Sequence, residues 1–494
     1  MKVGIDLGTT NSAIAYIDEY GTPQIISNRE GNRTTQSVVL FDEGTPIVGE
    51  VAKDESIINP ENTIQFIKRY IGKKNGRYML NGKAITPEGI SALILKKLIN
   101  DAQEYLGEEI TEAVVTVPAD FNDNERKATI DACKICGIKL NKIIHEATAA
   151  ALAYGLNKNA IDQNIVVYDL GGGTFDATVM ELKDGNITIK SSLGDKHLGG
   201  VDFENQIIKH VMYVFEQEFN KKLYTDRKAM QDLRQKVEKC KKTLSTRNHC
   251  KISITGRGHT LDIEITQDQF HHMISGMINK TIKIMNRAVI DAKLTWNDID
   301  KILLVGGSTR IKMVSDQIEK LIGIKPSREI NPDEAVAIGA AIQANIDNIA
   351  KPMKISDVCA RSLGIVWYDK KNNRELNKII INKNTTIPCK QNIVFRTVID
   401  NQKQYTLKLS EGDSNEVDKV DIIATAKINL KPRPKGSPIN ISISYDENSI
   451  IDVKVIDKMD NSLLDEIKID RTGNMDDLEI KDNMEQLSLV NFSY

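Results

Sequence analysis

The 494-residue chain has few cysteines, no dominant charge of either sign and no long apolar run. Its six cysteines are scattered, and only Cys133 and Cys136 have the C-x-x-C spacing. That pair lies in the helical pattern ATIDACKICGIKL with no second Cys/His pair nearby, so it reads as inert thiols, and no disulfide framework or metal finger is implied. Lys plus Arg number 66 against 68 Asp plus Glu. This balance offers no electrostatic footprint for nucleic acid or an anionic membrane, and neither is expected as a partner. No stretch reaches the roughly 18 to 20 apolar residues that span a bilayer, and Met1-Lys2-Val3-Gly4-Ile5-Asp6 lacks an apolar signal core, so a cytoplasmic protein is expected.

The length exceeds what one compact core holds and predicts several domains. Val3–Leu7 and Ala13–Ile17 read as two strands joined by the turn GTTNS, and IVVYDLGGGTFDATVM from Ile165 to Met180 repeats the design: a buried-type strand ending in Asp-Leu-Gly, a Gly-rich turn, a returning strand. Two lobes of this kind would clamp an anion between them, because backbone N–H groups at glycine turns form anion-binding concavities. A third glycine turn, in ILLVGGSTRI, leads from an apolar strand towards the helical pattern MVSDQIEKLIG. Amphipathic helices are predicted near Pro87–Leu106, Asn124–Cys136, Phe203–Phe219, Asp226–Leu244 and Gln267–Ala292, so the first part of the chain is α/β. After about Lys351 apolar residues alternate with period two, as in Ile439, Ile441, Ile443, Tyr445, predicting an antiparallel β-sandwich. Residues after Gly473 are acidic and weakly helical.

Phosphoryl transfer to water needs cradled phosphates, a metal held by carboxylates, a cation and a group orienting the water. Asp6 and Asp169 end the duplicated strands and would hold Mg²⁺ through its water shell. Gly8, Thr9, Thr10 and Asn11, with Gly171, Gly172, Gly173 and Thr174, would wrap phosphates from opposite sides. One such turn is a weak signal, whereas two matched copies are a strong one.

The blocks GIDLGTTNS at 4–12, VVTVPADFND at 114–123, HEATAAALAYG at 145–155, IVVYDLGGGTFD at 165–176, GDKHLGGVDF at 194–203, LLVGGSTR at 303–310, INPDEAVAIGAA at 330–341 and NTTIP at 384–388 occur in the order seen in the 70-kDa heat-shock chaperones, which the chain resembles over roughly 1–470. The resemblance implies an actin/hexokinase-type two-lobed ATPase domain at 1–350, a linker at 351–357, a β-sandwich peptide-binding domain at 358–473, and a short acidic tail at 474–494 in place of the family's helical lid. It implies ATP/ADP and Mg²⁺, admits K⁺, and carries over the following roles. Lys68, Glu146, Asp169, Thr174 and Asp176 serve catalysis, although Lys68 read without the family is one helix lysine among many and Glu146 a helix-start residue. Gly199 and Gly200 join the phosphate turns. Glu238, Lys241, Lys242 and Ser245, one stripe of a helix, cover the adenine and ribose opposite Gly306, Gly307, Ser308, Arg310 and Asp333. Ile365, Phe395, Tyr405 and Leu407 line a peptide cleft, with Tyr405 and Val398 standing where smaller residues are usual. Pro118, Arg126 and Asp357 serve interdomain coupling.

The implied partners of what is expected to be a monomer are unfolded or client polypeptide, a J-domain co-chaperone and a nucleotide exchange factor. Several features depart from the pattern: the linker Met353-Lys354-Ile355-Ser356-Asp357 lacks a leucine run, Ala147 replaces a proline, Lys142 stands where an arginine is common, and the stretch from Gly72 to Thr86 is short. The expected function is an ATP-dependent chaperone binding extended apolar segments. The alternative is a specialised nucleotide-controlled scaffold for one partner. A small-molecule kinase would need a base for a hydroxyl acceptor, and none is evident.

Overall fold

The computed structural model describes residues 1–43, 45–73, 78–80, 83–155, 162–348, 354–369, 373–447, 450–467 and 477–488. The linker start at 351–353, part of the shortened 72–86 stretch and both ends of the tail lie outside them. No helix among the described residues is long and apolar enough to cross a membrane.

The repeat seen in the sequence builds two sheets. In the first, Lys2–Asp6 pairs antiparallel with Asn11–Ile17 and parallel with Glu112–Val117, which pairs parallel with Lys139–His145. In the second, Gln163–Leu170 pairs antiparallel with Phe175–Lys183 and parallel with Lys301–Val305. The strands carry continuous apolar runs because both faces are covered: Ile5, Val115, Val167 and Leu303 have no exposed surface. The helices Glu146–Gly155 and Ala335–Ala344 cross between the sheets, and small residues set their separation. A Cβ on Gly339 would lie 1.7 Å from Ala149 O, and one on Gly4 1.9 Å from Ala341 N. The predicted helices appear as Pro87–Leu106, Asp123–Cys136, Gly200–Phe219, Arg227–Leu244 and Gln267–Asp291. Asn122 and Thr266 close capping boxes at two of them, satisfying first-turn N–H groups.

From Leu363 onwards two four-stranded antiparallel sheets face one another, one in the order Arg374–Ile381, Leu363–Asp369, Gln404–Glu411, Asp421–Asn429 and the other Cys389–Arg396, Pro438–Tyr445, Ile451–Asp457, Ser462–Ile467. The period-two positions Ile441, Ile443, Val453 and Val455 of one sheet meet Ile365, Leu407 and Leu409 of the other in one core. This β unit is docked on the lobes. The strand Ile355–Val358 adds to the second lobe's sheet beside Ile187 and Thr188, while its far end pairs with Thr386–Ile387. Lys383 reaches Asp291 at 2.7 Å, and the Asp123 N–H donates to Glu411 Oε2 at 3.4 Å.

The weakly helical tail forms a helix, Asp477–Ser488, that packs against Pro87–Leu106 and Asp123–Cys136. Ile480 and Leu487 are buried in the first lobe's core, and Lys96 Nζ donates to Leu487 O at 2.7 Å. A short acidic helix is marginal alone, and here the lobe supplies the apolar surface that stabilises it.

Candidate functional site

The two duplicated turns meet at the floor of a cleft between the lobes. Gly8 N–H donates to Ser12 Oγ at 3.1 Å, and Ser37 Oγ donates to Gly8 O at 2.9 Å, fixing the first turn. In the second turn Gly171 N–H donates to Thr174 O at 3.0 Å, and Ser308 Oγ donates to Gly171 O at 2.8 Å, tying in the third glycine turn. The turns also touch each other: a Cβ on Gly172 would fall 2.4 Å from Thr10 Oγ1, and one on Gly173 2.5 Å from Thr9 Cγ2 and Oγ1. Glycine is therefore required at this contact to let the lobes close, whatever the turns bind.

The cleft holds about 740 Å³, within the range of a small-molecule or cofactor site. Lys68 enters from a route that helical periodicity does not show. Phe66 takes a left-handed φ of 60°, rare for a bulky side chain, and starts the single 3₁₀ turn Ile67–Arg69. Lys68 Nζ then meets Glu146 Oε1 at 2.5 Å, with both side chains buried. Arg69 turns towards the second lobe, donating to Gly173 O at 2.8 Å and to Asp202.

Around this ion pair stand Asp6, Asp169 and Asp176. Burial raises the Asp6 carboxyl to about 7, with Glu146 adding to the rise and Lys68 opposing it. Burial, reinforced by Glu146, pushes Asp169 and Asp176 well above the carboxylate range. Thr116 Oγ1 donates to Asp6 Oδ1 at 3.4 Å, whereas Asp176 Oδ1 is buried with no hydrogen-bond partner. Crowded, under-neutralised carboxylates are the environment that an added cation relieves. The buried Asp6 and Asp169 carboxylates and the unpartnered Asp176 Oδ1 are oxygen donors of the kind that hard cations such as Mg²⁺ take.

The cleft is also lined by Glu238, Lys241, Lys242 and Ser245 and by Gly306, Gly307, Ser308, Arg310 and Asp333. Burial opposes ionisation of Glu238, yet Lys53 and Lys242 hold its carboxyl down to about 2. The Lys53 contact, 2.6 Å long, runs between the lobes. Arg310 is held at 2.6 Å by Asp333, and both side chains are partly open to solvent.

Asp6, Gly8, Thr9, Thr10, Asn11, Lys68, Glu146, Asp169, Gly171, Gly172 and Thr174 all line this cleft. Gly173, Asp176, Gly199 and Gly200 lie behind the lining. A Cβ on Gly199 would sit 2.6 Å from Gly173 N, and one on Gly200 2.6 Å from Ser308 Oγ and 2.8 Å from Lys241 Nζ; these positions serve close packing of the turns. Ile365 and Leu407 are fully buried in the β core, and Phe395 and Tyr405 are half-buried with ring centroids 5.9 Å apart. Asp357 joins the first lobe, with Oδ1 3.1 Å from His145 Nδ1 and Oδ2 accepting from Thr148 Oγ1 at 3.1 Å. Burial works against its ionisation, but His145 and these hydrogen bonds hold its carboxyl low. Pro118 and Arg126 are buried beside this junction, and Arg126 donates to Ala119 O at 3.2 Å.

Residues not anticipated also shape the site. Arg33 forms a two-point ion pair with Glu334 at 2.6 and 2.9 Å across the cleft mouth, and Glu204 holds Lys241 at 2.6 Å. Arg69, adjacent to Lys68 in the sequence, carried the only local signal.

Paired α/β lobes with repeated Asp-Gly turns closing on a carboxylate-floored cleft define the two-lobed ATPase class of fold. A family model described as Hsp70 protein matches residues 2–490, and the chain belongs to the Hsp70 family. Membership brings a chaperone-type, ATP-dependent function, ATPase activity and ATP/ADP as the nucleotide; members of the family bind client polypeptides and co-chaperones.

Proposed function

We propose that this chain hydrolyses ATP in the cleft between its lobes and uses the nucleotide state to control binding of extended apolar polypeptide by its β-sandwich. The observation that carries this reading is the meeting of two matched Asp-Gly turns around the buried Lys68–Glu146 pair. The domains are 1–350, linker 351–357, 358–473 and tail 474–494. The adenine and ribose lie between Glu238, Lys241, Lys242, Ser245 and the Gly306, Gly307, Ser308, Arg310, Asp333 wall, and the phosphates against the two turns.

Mg²⁺ would be held near Asp6 and Asp169 and would supply charge neutralisation of the phosphates. The chain's own contribution is positional. Lys68 places a cation beside the terminal phosphate, with Glu146 fixing its Nζ. Glu146 and Asp176 orient the attacking water, and Thr174 bonds the terminal phosphate from the second turn. Most of the acceleration in such a reaction comes from positioning and electrostatics.

In the β-sandwich, main-chain hydrogen bonds and an apolar pocket take the peptide. The Tyr405 ring against Phe395 fills part of that pocket and narrows the side chains it accepts. Pro118, Arg126 and Asp357 pass the nucleotide state to the β unit, a J-domain protein stimulates hydrolysis, and an exchange factor releases ADP. The alternative of a one-partner scaffold is separated by single-turnover ATP hydrolysis with and without an extended apolar peptide and a J-domain protein. Slow turnover accelerated by both supports the chaperone cycle; turnover indifferent to both overturns it in favour of the scaffold.

A further inference from the structure

The cysteines, scattered in the sequence, are not scattered in space. Cys240 lies on the helix Arg227–Leu244 with no exposed surface, and Cys250 lies on the inward face of the following strand, His249–Gly256, partly open to solvent. Cys250 packs against the core cluster that contains Cys240, its strand lies along the helix that carries Cys240, and the Cys250 thiol stands near enough to help push the Cys240 thiol up. Cys250 Sγ donates to Lys251 O only at 3.7 Å, a longer contact than those of Cys136 Sγ to Cys133 O at 3.1 Å and Cys359 Sγ to Asn382 O at 3.2 Å.

We infer that Cys240 and Cys250 form a two-thiol modification site that a hydroperoxide closes to a disulfide. Cys250, the accessible thiol, reacts first. Its sulfur attacks the peroxide; the S–O bond forms, the O–O bond breaks, and the alcohol or water leaves with a proton, giving a sulfenic acid. Cys240 then attacks the Cys250 sulfur and expels water. Two thiols thus lose two protons and two electrons, and one hydroperoxide is reduced. Burial keeps Cys240 from meeting the oxidant and holds its thiol far up, so the first oxidation falls to Cys250, and Cys240 takes part only through its place beside Cys250. The bond brings the two sulfurs to about 2.05 Å, and reversible bonds of this kind in reducing compartments are characteristically redox-sensing.

The place of the bond gives it a consequence. Cys240 sits between Glu238, whose partner Lys53 belongs to the other lobe, and Lys241, which Glu204 anchors. A covalent tie there fixes the end of the helix to the strand behind it and restrains the movement by which the lobes part. This consequence, unlike the modification itself, rests on the ATP reading.

The test treats the full-length reduced protein with hydrogen peroxide, traps free thiols by alkylation and maps peptides by mass spectrometry. The expected result is a Cys240–Cys250 cross-link with an intact-mass loss of about 2 Da, reversed by dithiothreitol and absent in Cys250→Ser. Peroxide treatment that leaves both thiols free, or carries Cys250 to the sulfinic acid without a cross-link, overturns the site. Release of a fluorescent ADP analogue is expected to slow at least threefold on oxidation of the native protein and to be unaffected by peroxide in Cys250→Ser. A cross-link without slowed release overturns the regulatory consequence. A reduced protein that binds no nucleotide yet still forms the cross-link overturns the ATP reading and leaves the modification standing.

Discussion

Replacing Glu411 with glutamine removes a titrating acid from the junction between the β unit and the lobes. Glu411 has no exposed surface and accepts from the Asp123 N–H of the first lobe. The groups facing it are Arg361, 3.8 Å away and itself bonded to Asp421, Tyr445 at 3.5 Å, and Arg126 and Asp123 from the lobe. Burial wins over the arginines and raises its carboxyl from 4.5 to about 7. A carboxyl raised in the docked form favours docking while it is protonated, and that contribution is lost as pH rises through the docked value. Were the open form to restore the ordinary value, the whole shift would correspond to roughly 3 kcal/mol, a ceiling because Arg361 and Tyr445 belong to the same unit. Between pH 8 and pH 6 the corresponding change is about 1.3 kcal/mol, or about tenfold in the docked-to-open ratio. Small-angle scattering at both pH values, native against Glu411→Gln, reads this ratio, and the comparison cancels the shared titration of Asp120 and the cleft carboxylates. Glutamine keeps an acceptor for Asp123 N–H and should lose this tenfold response. A native protein whose scattering responds to pH no more than the variant refutes the reasoning.

Three further outcomes follow from packing. Gly339→Ala drives a Cβ into Ala149 O and should destabilise the lobes by about 1–3 kcal/mol or more, measured by urea unfolding; an unchanged midpoint contradicts the account of the crossing helices. Leu487→Ala, at a side chain 1% exposed, should cost about 2–3 kcal/mol of tail docking, seen as faster proteolysis of the tail with the rest of the chain resistant. Tyr405→Ala empties space beside Phe395 and should strengthen binding of a labelled apolar peptide severalfold by anisotropy, while weaker binding would mean that Tyr405 contacts the peptide itself.

What could be read in the sequence was what local pattern encodes. The strand-turn-strand repeat, the helices with a 3.6-residue apolar period and the alternation of Ile439, Ile441 and Ile443 depend on neighbours a few residues apart, and they appear where expected. The glycine turns were legible because the chain carries two copies. Contacts between distant segments leave no such trace: Glu146 meets Lys68 across 78 residues, Asp357 meets His145 across 212, and Glu334 meets Arg33 across 301. Lys68 was further hidden because a left-handed Phe66 and a 3₁₀ turn aim it, not a helix. The tail looked weak because Ile480 and Leu487 are its only buried apolar residues among those described, and their value depends on the lobe they meet.

The central claim, that the cleft is an ATPase site organised around Lys68, is tested most directly by single-turnover ATP hydrolysis with Mg²⁺ in native protein and Lys68→Ala, with ATP binding measured in parallel. The account predicts that the variant still binds ATP through the turns and the adenine walls but loses hydrolysis by at least a hundredfold, about 2.7 kcal/mol of transition-state stabilisation. Retained turnover in Lys68→Ala, with ATP bound, would contradict it.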